Sequence, residues 1–195
     1  MVRASRISYV GELGWELYIP SKFTTGVFDV LVEAGESYGL RQIGMHAMNS
    51  LRIGKAYRHY GHDITDADTP LEGGLGFAVK FDKPGGFIGH NALKRQRETG
   101  LNKRLVQFLL NDSQPMLYHN EPIWRDGGLA GYVRSAMYGH TLGGAVALGY
   151  IENPDGVDAD YVKSGTYEIE IAGVRYPATA SLRPLYDPKS ERIKA

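Results

Sequence analysis

Hydrophobic and polar residues follow two different periodicities along the chain. Apolar residues recur at helical spacing over 23–38 and 43–55, and each of these segments predicts an α-helix. A third, short helix is predicted over 89–99, ending at Gly100. From residue 104 onward, short apolar runs follow one another about every ten residues with turn signals between them, which predicts a small barrel or sandwich. The predicted strands are Leu105–Leu110, Glu121–Trp124, Leu129–Ser135, Gly144–Ile151, Thr166–Ile171 and Val174–Leu182.

A β-hairpin is predicted at the start of the chain, where two β-rich runs flank the turn Gly11–Gly14. In that arrangement Val10 pairs with Trp15. Tyr9 then pairs with Glu16, so that a carboxylate lies beside an aromatic ring. A buried carboxylate without a hydrogen-bond donor is unstable, so Glu16 either faces water or meets a ligand. A flat heterocycle with adjacent N–H and amino donors, such as a pterin or guanine, would satisfy both side chains.

Composition narrows the classes of function. The 195 residues are 43% hydrophobic and 23% charged, which is typical of a folded soluble protein of one large or two small domains. Lys and Arg total 22 and Asp and Glu total 22, so no net positive charge attracts nucleic acid or an anionic membrane. The absence of cysteine excludes thiolate metal sites, thiol nucleophiles and disulfides, and it favours an interior compartment.

A second candidate site is a loop after the second predicted helix. His59, His62 and Asp63 lie close enough there to ligate a metal, but this grouping without a second cluster is weak evidence for zinc or iron. The favoured interpretation is that the histidines form hydrogen bonds that pin the loop, and no metal site is assigned. Arg52, late in the preceding helix, is a favourable cation for the helix C-terminus and can also pair with an acid, so its favoured role is structural. Core packing is expected for three residues of that helix, Met45, Met48 and Leu51.

The segment Tyr9–Glu16, YVGELGWE, resembles a signature of the folate-dependent aminomethyltransferase family. This family comprises the glycine cleavage T-protein and the folate domains of dimethylglycine and sarcosine dehydrogenases. The sequences of this segment and of residues 57–63, YRHYGHD, look closest to the demethylating-dehydrogenase branch of this family. The resemblance continues in order through Asn49–Ile53, Tyr60–Ile64, Thr69–Phe77, Phe87–Gly89, Pro122–Ile123 and Gly149–Ile151.

The resemblance implies an α+β fold in two parts. Residues 1–101 would be the C-terminal portion of the folate-binding domain, a partial α/β layer with a β-hairpin and helices. Residues 102–195 would be the C-terminal antiparallel β-barrel domain. Because a strand begins abruptly near residue 6, we also expect the chain to be part of something longer.

The resemblance also implies a tetrahydrofolate site and one-carbon transfer from an amine-derived methylene group. Glu16 would bind the amino and N–H edge of the pterin, and Tyr9 and Phe77 would wall the pocket. The family's catalytic aspartate would precede residue 1, so no catalytic residue is assigned, and the isolated chain is expected to fold without transferase activity. A missing N-terminal half or a fused dehydrogenase domain is the expected protein partner. The expected location is the cytoplasm, or the mitochondrial matrix in a eukaryote.

Two departures from the family pattern limit what is carried over. The glycine-cleavage branch has an arginine at the position of Met48, which puts lipoyl-arm chemistry in doubt. Relatives in tRNA modification or iron–sulfur maintenance carry a cysteine motif that this chain lacks. The alternatives from other classes are a non-catalytic folate-binding or docking module and a metal enzyme built on the loop histidines.

Overall fold

Two structural units follow each other along the chain, in a computed structural model that describes residues 1–195. The first unit contains strands β1 and β2 and helices α1 to α3, and the second contains strands β3 to β8 and helix α4. The elements are β1 Arg3–Ser5, β2 Glu16–Tyr18, α1 Thr24–Glu36, α2 Met45–Gly54, α3 His90–Thr99, β3 Lys103–Leu110, β4 Pro122–Arg125, β5 Gly128–Gly139, β6 Gly144–Glu152, α4 Ala159–Ser164, β7 Tyr167–Ile171 and β8 Val174–Ser181. None of the helices combines the length and apolar character that crossing a bilayer requires.

The second unit is a closed antiparallel barrel with the strand order β3-β6-β5-β4-β7-β8. Its interior is filled by apolar side chains from every strand, among them the fully buried Phe108, Ile123 and Ile169. The α+β fold and the barrel predicted from the sequence are confirmed, because the alternation of apolar residues on short strands matches the pleat of a sheet with one buried face.

Strand β6 is buried on both faces, which explains its almost continuous apolar sequence. One face, with Ala147 and Ile151, points into the barrel. The other face, with Leu148 and Tyr150, packs with Ala56 in a small second core. The barrel is therefore also the platform on which the helical unit rests.

The hairpin at the start of the chain differs from the prediction in its register. Strand β1 pairs Ser5 with Glu16 and Ala4 with Leu17, so the connection is the long loop 6–15 rather than a four-residue turn. The predicted pairing of Tyr9 with Glu16 is wrong. The physical reason is local, because the hydroxyl of Ser8 accepts the backbone N–H of Gly11 at 3.0 Å and curls the loop before it can extend as a strand.

Helix α1 forms where it was predicted, yet none of its residues is buried. The core packing expected of α2 is also wrong in part. Met45 is 70% exposed and Leu51 is 41% exposed, while the buried face of the helix contains Arg52 and Ile53. The reason is that the face of α2 that packs on the barrel contains Ser50 and Arg52 together with Ile53, and both polar side chains have hydrogen-bond partners there.

Besides the small second core, polar contacts bind the two units together. The side-chain amide of Gln107 donates to the last carbonyls of α2, at 2.6 Å for Ile53 and 3.0 Å for Gly54. After β8 the chain returns to the helical unit, where the ammonium of Lys55 pairs with the carboxylate of Asp187 at 2.9 Å. A further set, between α2 and β5, belongs to the candidate site. The boundary proposed between residues 101 and 102 falls between α3 and β3.

Candidate functional site

A buried ion pair anchors the loop that carries the candidate histidines. Asp63 is fully buried and accepts hydrogen bonds from the guanidinium of Arg52, the hydroxyl of Ser135 and the backbone N–H of His59, the last at 2.8 Å. The Arg52 guanidinium also donates to Ser135 at 3.1 Å and to Asn49 at 2.6 Å. Asp63 is thus the acid partner of Arg52, in keeping with the structural role favoured for this arginine, and helix, loop and barrel are locked in one geometry.

A cleft of about 640 Å³ opens above this ion pair, between α2, the loop after it and the barrel. We call it the central cleft. Its wall contains histidines, tyrosines, methionines and two arginines, but no aspartate or glutamate. The lining residues are Tyr9, Met45, His46, Met48, Asn49, Arg52, Arg58, His59, Tyr60, His62, Tyr118, His119, Ser135, Ala136 and Met137.

Tyr9 is placed at the wall of the central cleft by the curled loop 6–15. Its hydroxyl donates to the carbonyl of Arg58 at 3.2 Å, and its ring lies parallel to that of Tyr57 with the centroids 6.2 Å apart. Burial raises the pKa of both phenols. The two hydroxyls therefore remain protonated at neutral pH and act as hydrogen-bonding and packing groups.

Arg58 brings a positive charge to the cleft that no carboxylate neutralises. Its guanidinium donates to the carbonyls of Ala56 at 2.7 Å and Gly73 at 3.0 Å, and it takes part in no salt bridge. Burial lowers the pKa of Arg58, and the more distant Asp63 partly offsets this effect. Because an arginine stays charged even so, the wall of the cleft is cationic.

Three imidazoles form a row along the cleft. The rings of His59 and His62 are stacked with centroids 5.9 Å apart, and His119 from the barrel meets His62 edge to face at 6.3 Å. None of the three rings has a hydrogen-bond partner within the protein, so it is Asp63 rather than the histidines that pins the loop. No group of three histidines or carboxylates is arranged to hold a metal ion.

Glu16 lies outside the central cleft, on the exposed strand β2. Its carboxylate accepts a hydrogen bond from the hydroxyl of Tyr18 at 3.0 Å, and this bond raises the pKa of Tyr18. The other lone pairs of the carboxylate face solvent. Glu16 therefore stands beside an aromatic ring, as the alternation of side chains predicts, but the ring is that of Tyr18.

Phe77 lies on a different surface from Tyr9. Its ring is 86% exposed and lines a second depression of about 800 Å³, together with the cationic side chains of Lys80, Lys94 and Arg97. Only Tyr9 of the three predicted ligand contacts lines the central cleft. The sequence reasoning missed His119, because this residue belongs to no local motif and only the folded chain brings it to the cleft.

Family models match the chain in two consecutive parts. The model of the GCVT N-terminal domain matches residues 1–83, and that of the glycine cleavage T-protein C-terminal barrel domain matches residues 103–187. Among solved structures, the glycine cleavage system aminomethyltransferase T of Bartonella henselae superimposes with a TM-score of 0.83 at 24% identity. That likeness covers 96% of this chain and 50% of the other, and it supports the fold.

Curated relatives extend over nearly the whole chain. Mitochondrial sarcosine dehydrogenase of Homo sapiens is 45% identical over 100% of the chain, and the formaldehyde-forming 4-methylaminobutanoate oxidase of Paenarthrobacter nicotinovorans is 44% identical over 97% of it. The mitochondrial pyruvate dehydrogenase phosphatase regulatory subunit of Mus musculus is 38% identical over 94%. The chain spans only about a fifth of the length of these relatives, namely 21%, 22% and 22%.

Proposed function

The chain belongs to the glycine cleavage T-protein family, and from that membership we propose that it takes part in one-carbon transfer from an amine-derived methylene group to tetrahydrofolate. The observation that carries the proposal is the position of Tyr9. The loop with the family signature holds this ring parallel to Tyr57 at the wall of the central cleft, next to the barrel. An aromatic wall of this kind suits a flat heterocyclic ligand.

The side chains assigned to tetrahydrofolate have the chemistry that a pterin requires. Glu16 has lone pairs that no protein donor uses, and these suit the amino and N–H edge of the ring. Tyr9 and Phe77 offer aromatic surfaces for packing. Glu16 and Phe77 lie outside the central cleft, whereas Tyr9 lines it. The contribution of each residue to folate binding is therefore tested with its own variant.

Tetrahydrofolate, when bound, supplies the nitrogen nucleophile that accepts the one-carbon unit. The residues of this chain would hold the ring, orient it toward the incoming methylene carbon and limit the access of water. Holding two reactants in contact is itself a large contribution to rate. We assign no catalytic residue within the chain, and we expect it to bind folate without detectable transfer on its own.

The donor proposed from the relatives is an N-methylated amino acid. Sarcosine and 4-methylaminobutanoate, named for two of the relatives, both carry a methylamino group and a carboxylate. A dehydrogenase or oxidase portion would supply the amine-derived methylene group, and this is the partner that we propose. The mitochondrial relatives favour the matrix as the location in a eukaryotic cell.

A second candidate is a non-catalytic folate-binding or docking module. It is favoured by one observation, the similarity of 94% of the chain to a protein named as a regulatory subunit. The two candidates differ in one-carbon transfer by the complete protein that carries this chain, which is measured as formation of 5,10-methylenetetrahydrofolate. Transfer that depends on Tyr9 supports the enzyme, and folate binding without transfer by the complete protein supports the module.

The first experiment is a calorimetric titration of the chain with 5-formyltetrahydrofolate. We expect saturable binding that weakens at least about tenfold in Glu16→Ala, because a charged bidentate acceptor is lost. Glu33→Ala, on the exposed helix α1, is the matched control and leaves binding unchanged. Tyr9→Ala and Phe77→Ala test the two aromatic contacts in the same titration. A folded chain that does not bind, or equal loss in the control, contradicts a folate site on this chain.

A further inference from the structure

We infer that the row of imidazoles in the central cleft, His59, His62 and His119, is a binding site for a ligand carboxylate, with Arg58 as its positive background. This inference deepens the proposed function, on which it rests for the identity of the ligand. It does not rest on that function for the chemistry of the site, which follows from charge and from unused hydrogen-bond donors.

The charge balance of the cleft favours an anion. Asp63 neutralises Arg52 beneath the floor, but no carboxylate pairs with Arg58. The cleft wall contains no other acid. A half-buried cation whose donors point only to carbonyl oxygens leaves a positive potential in the cleft, and a carboxylate that enters it gains Coulomb energy without displacing a resident ion pair.

The hydrogen-bonding capacity of the cleft favours the same kind of ligand. The rings of His59, His62 and His119 have no partner in the protein, and a neutral imidazole offers one N–H donor while an imidazolium offers two. Neighbouring rings are about 6 Å apart between centroids, at 5.9 and 6.3 Å, so a carboxylate at the edge of the row can reach the N–H groups of two rings. His62 contacts both of the others and is the centre of the row.

Two ligands of the proposed reaction carry a carboxylate. One is the amino acid donor, and the other is the glutamyl tail of the folate. The structure assigns the cleft to the carboxylate group that they share. Anchoring either one would fix the distance between the methylene carbon and the folate nitrogen, which is how a positioning site contributes to transfer.

The probe for the donor is N,N-dimethylglycine, followed by the ¹H–¹³C NMR signals of the imidazoles. Its matched comparison is 2-(dimethylamino)ethanol, which has the amine and lacks the carboxylate. We expect saturable shifts of the His59, His62 and His119 signals with dimethylglycine and none with the alcohol. The His62→Gln/His119→Gln variant should weaken binding at least about fivefold, because hydrogen bonds to a charged group are lost.

His140→Gln is the control variant, since this ring packs on Tyr138 outside the central cleft. The variants replace exposed side chains, and an unchanged melting temperature confirms that they fold. The probe for the tail is a pair of reduced pterins, 5-formyltetrahydrofolate and 6-methyltetrahydropterin, which lacks the glutamyl group. If the double variant binds 5-formyltetrahydrofolate more weakly than the parent chain does, but binds 6-methyltetrahydropterin equally well, the bound carboxylate is that of the glutamyl tail.

If the double variant loses binding of dimethylglycine or of the glutamyl tail of folate, the inference is supported. The ligand that is lost identifies which carboxylate the site binds. The inference is overturned if neither carboxylate distinguishes the double variant from the parent chain, or if the alcohol binds as well as dimethylglycine does. The proposed function fails separately. If dimethylglycine binds and no folate binds, the carboxylate site is supported and the proposed function is contradicted. If folate binds equally well to the parent chain and to the double variant and dimethylglycine does not bind, the proposed function is supported and the carboxylate site is contradicted.

Discussion

Asp63 shows how much of this molecule depends on one side chain. It is fully buried, it neutralises Arg52, and through Ser135 it joins the loop of the helical unit to strand β5. A buried charge that loses its partner is strongly destabilising, whereas a satisfied one adds mainly a defined geometry. The central cleft therefore owes its shape to a residue that does not line it.

Asp63→Asn is expected to lower the free energy of unfolding by about 3–5 kcal/mol, because it leaves the guanidinium of Arg52 buried without a counter-charge. Urea denaturation followed by circular dichroism measures the change. Asp66→Asn, at an exposed position of the same loop, is the control and should stay within about 0.5 kcal/mol of the parent chain. A loss below about 1 kcal/mol for Asp63→Asn would show that the pair is not essential.

A second residue-scale prediction concerns pH. Burial by itself would raise the pKa of Asp68, but the ammonium of Lys103 at 2.7 Å and the N–H and hydroxyl of Thr65 outweigh it and lower the pKa. The stabilisation by this carboxylate is therefore complete above its ordinary pKa of about 3.9, and it is lost as the pH falls through the lowered native value.

We expect Asp68→Asn to melt about 2–6 °C below the parent chain at pH 7. The gap should narrow as the pH is lowered from about 4 toward 2, because both proteins then lack the carboxylate. Thermal melts at several pH values provide the measurement, with the exposed Asp155→Asn as the control that shows no gap at any pH. A gap that is independent of pH would contradict the assignment of the charge.

At the scale of elements, the strands β1 and β2 show what alternation alone leaves open. Either register places Glu16 beside an aromatic ring, because residues two apart share a face of a strand. The ring of Tyr18 satisfies this rule on the same strand, whereas Tyr9 would lie beside Glu16 only as its partner across the predicted hairpin. Only the curl of the loop at Ser8 and Gly11 selects the observed register.

The register is testable by cross-linking, because the chain contains no cysteine that could interfere. Ala4→Cys/Leu17→Cys places two thiols at directly opposite positions, so mild oxidation should form a disulfide. Val10→Cys/Trp15→Cys, the pair of the tight-turn hairpin, should remain reduced. Non-reducing mass spectrometry after proteolysis reads out both. Rapid cross-linking of Val10→Cys/Trp15→Cys without cross-linking of Ala4→Cys/Leu17→Cys would support the register predicted from the sequence and contradict the observed one.

At the scale of the whole molecule, the barrel and the helical unit are joined both at the first strand of the barrel and after its last strand. Gln107 caps the end of α2 from strand β3, and the segment after β8 returns to place Asp187 against Lys55. Lys55 is 2% exposed, so the contact lies inside the joint. The segment after the barrel is thus part of the support of the central cleft.

Lys55→Met is expected to loosen the segment after residue 182 while the barrel stays folded, because the carboxylate of Asp187 loses its ammonium partner. Hydrogen–deuterium exchange should rise in peptides covering 184–195 and stay unchanged in β5 and β6. Lys163→Met, at the exposed end of α4, is the control. Unchanged exchange after residue 182 would show that the ion pair does not hold the segment.

Periodicity along the chain was enough to predict the helices and a series of short strands in a small barrel or sandwich, because these depend on local spacing and on burial of one face. The choice of a barrel came from the resemblance to the family. Periodicity failed for the hairpin register and for the packing of α2, where two arrangements satisfy the same local rules. It also could not predict the central cleft, because Asp63 meets Ser135 and His62 meets His119 only after the barrel closes. Contacts between residues so distant in sequence depend on how whole elements pack, and no local pattern records that packing.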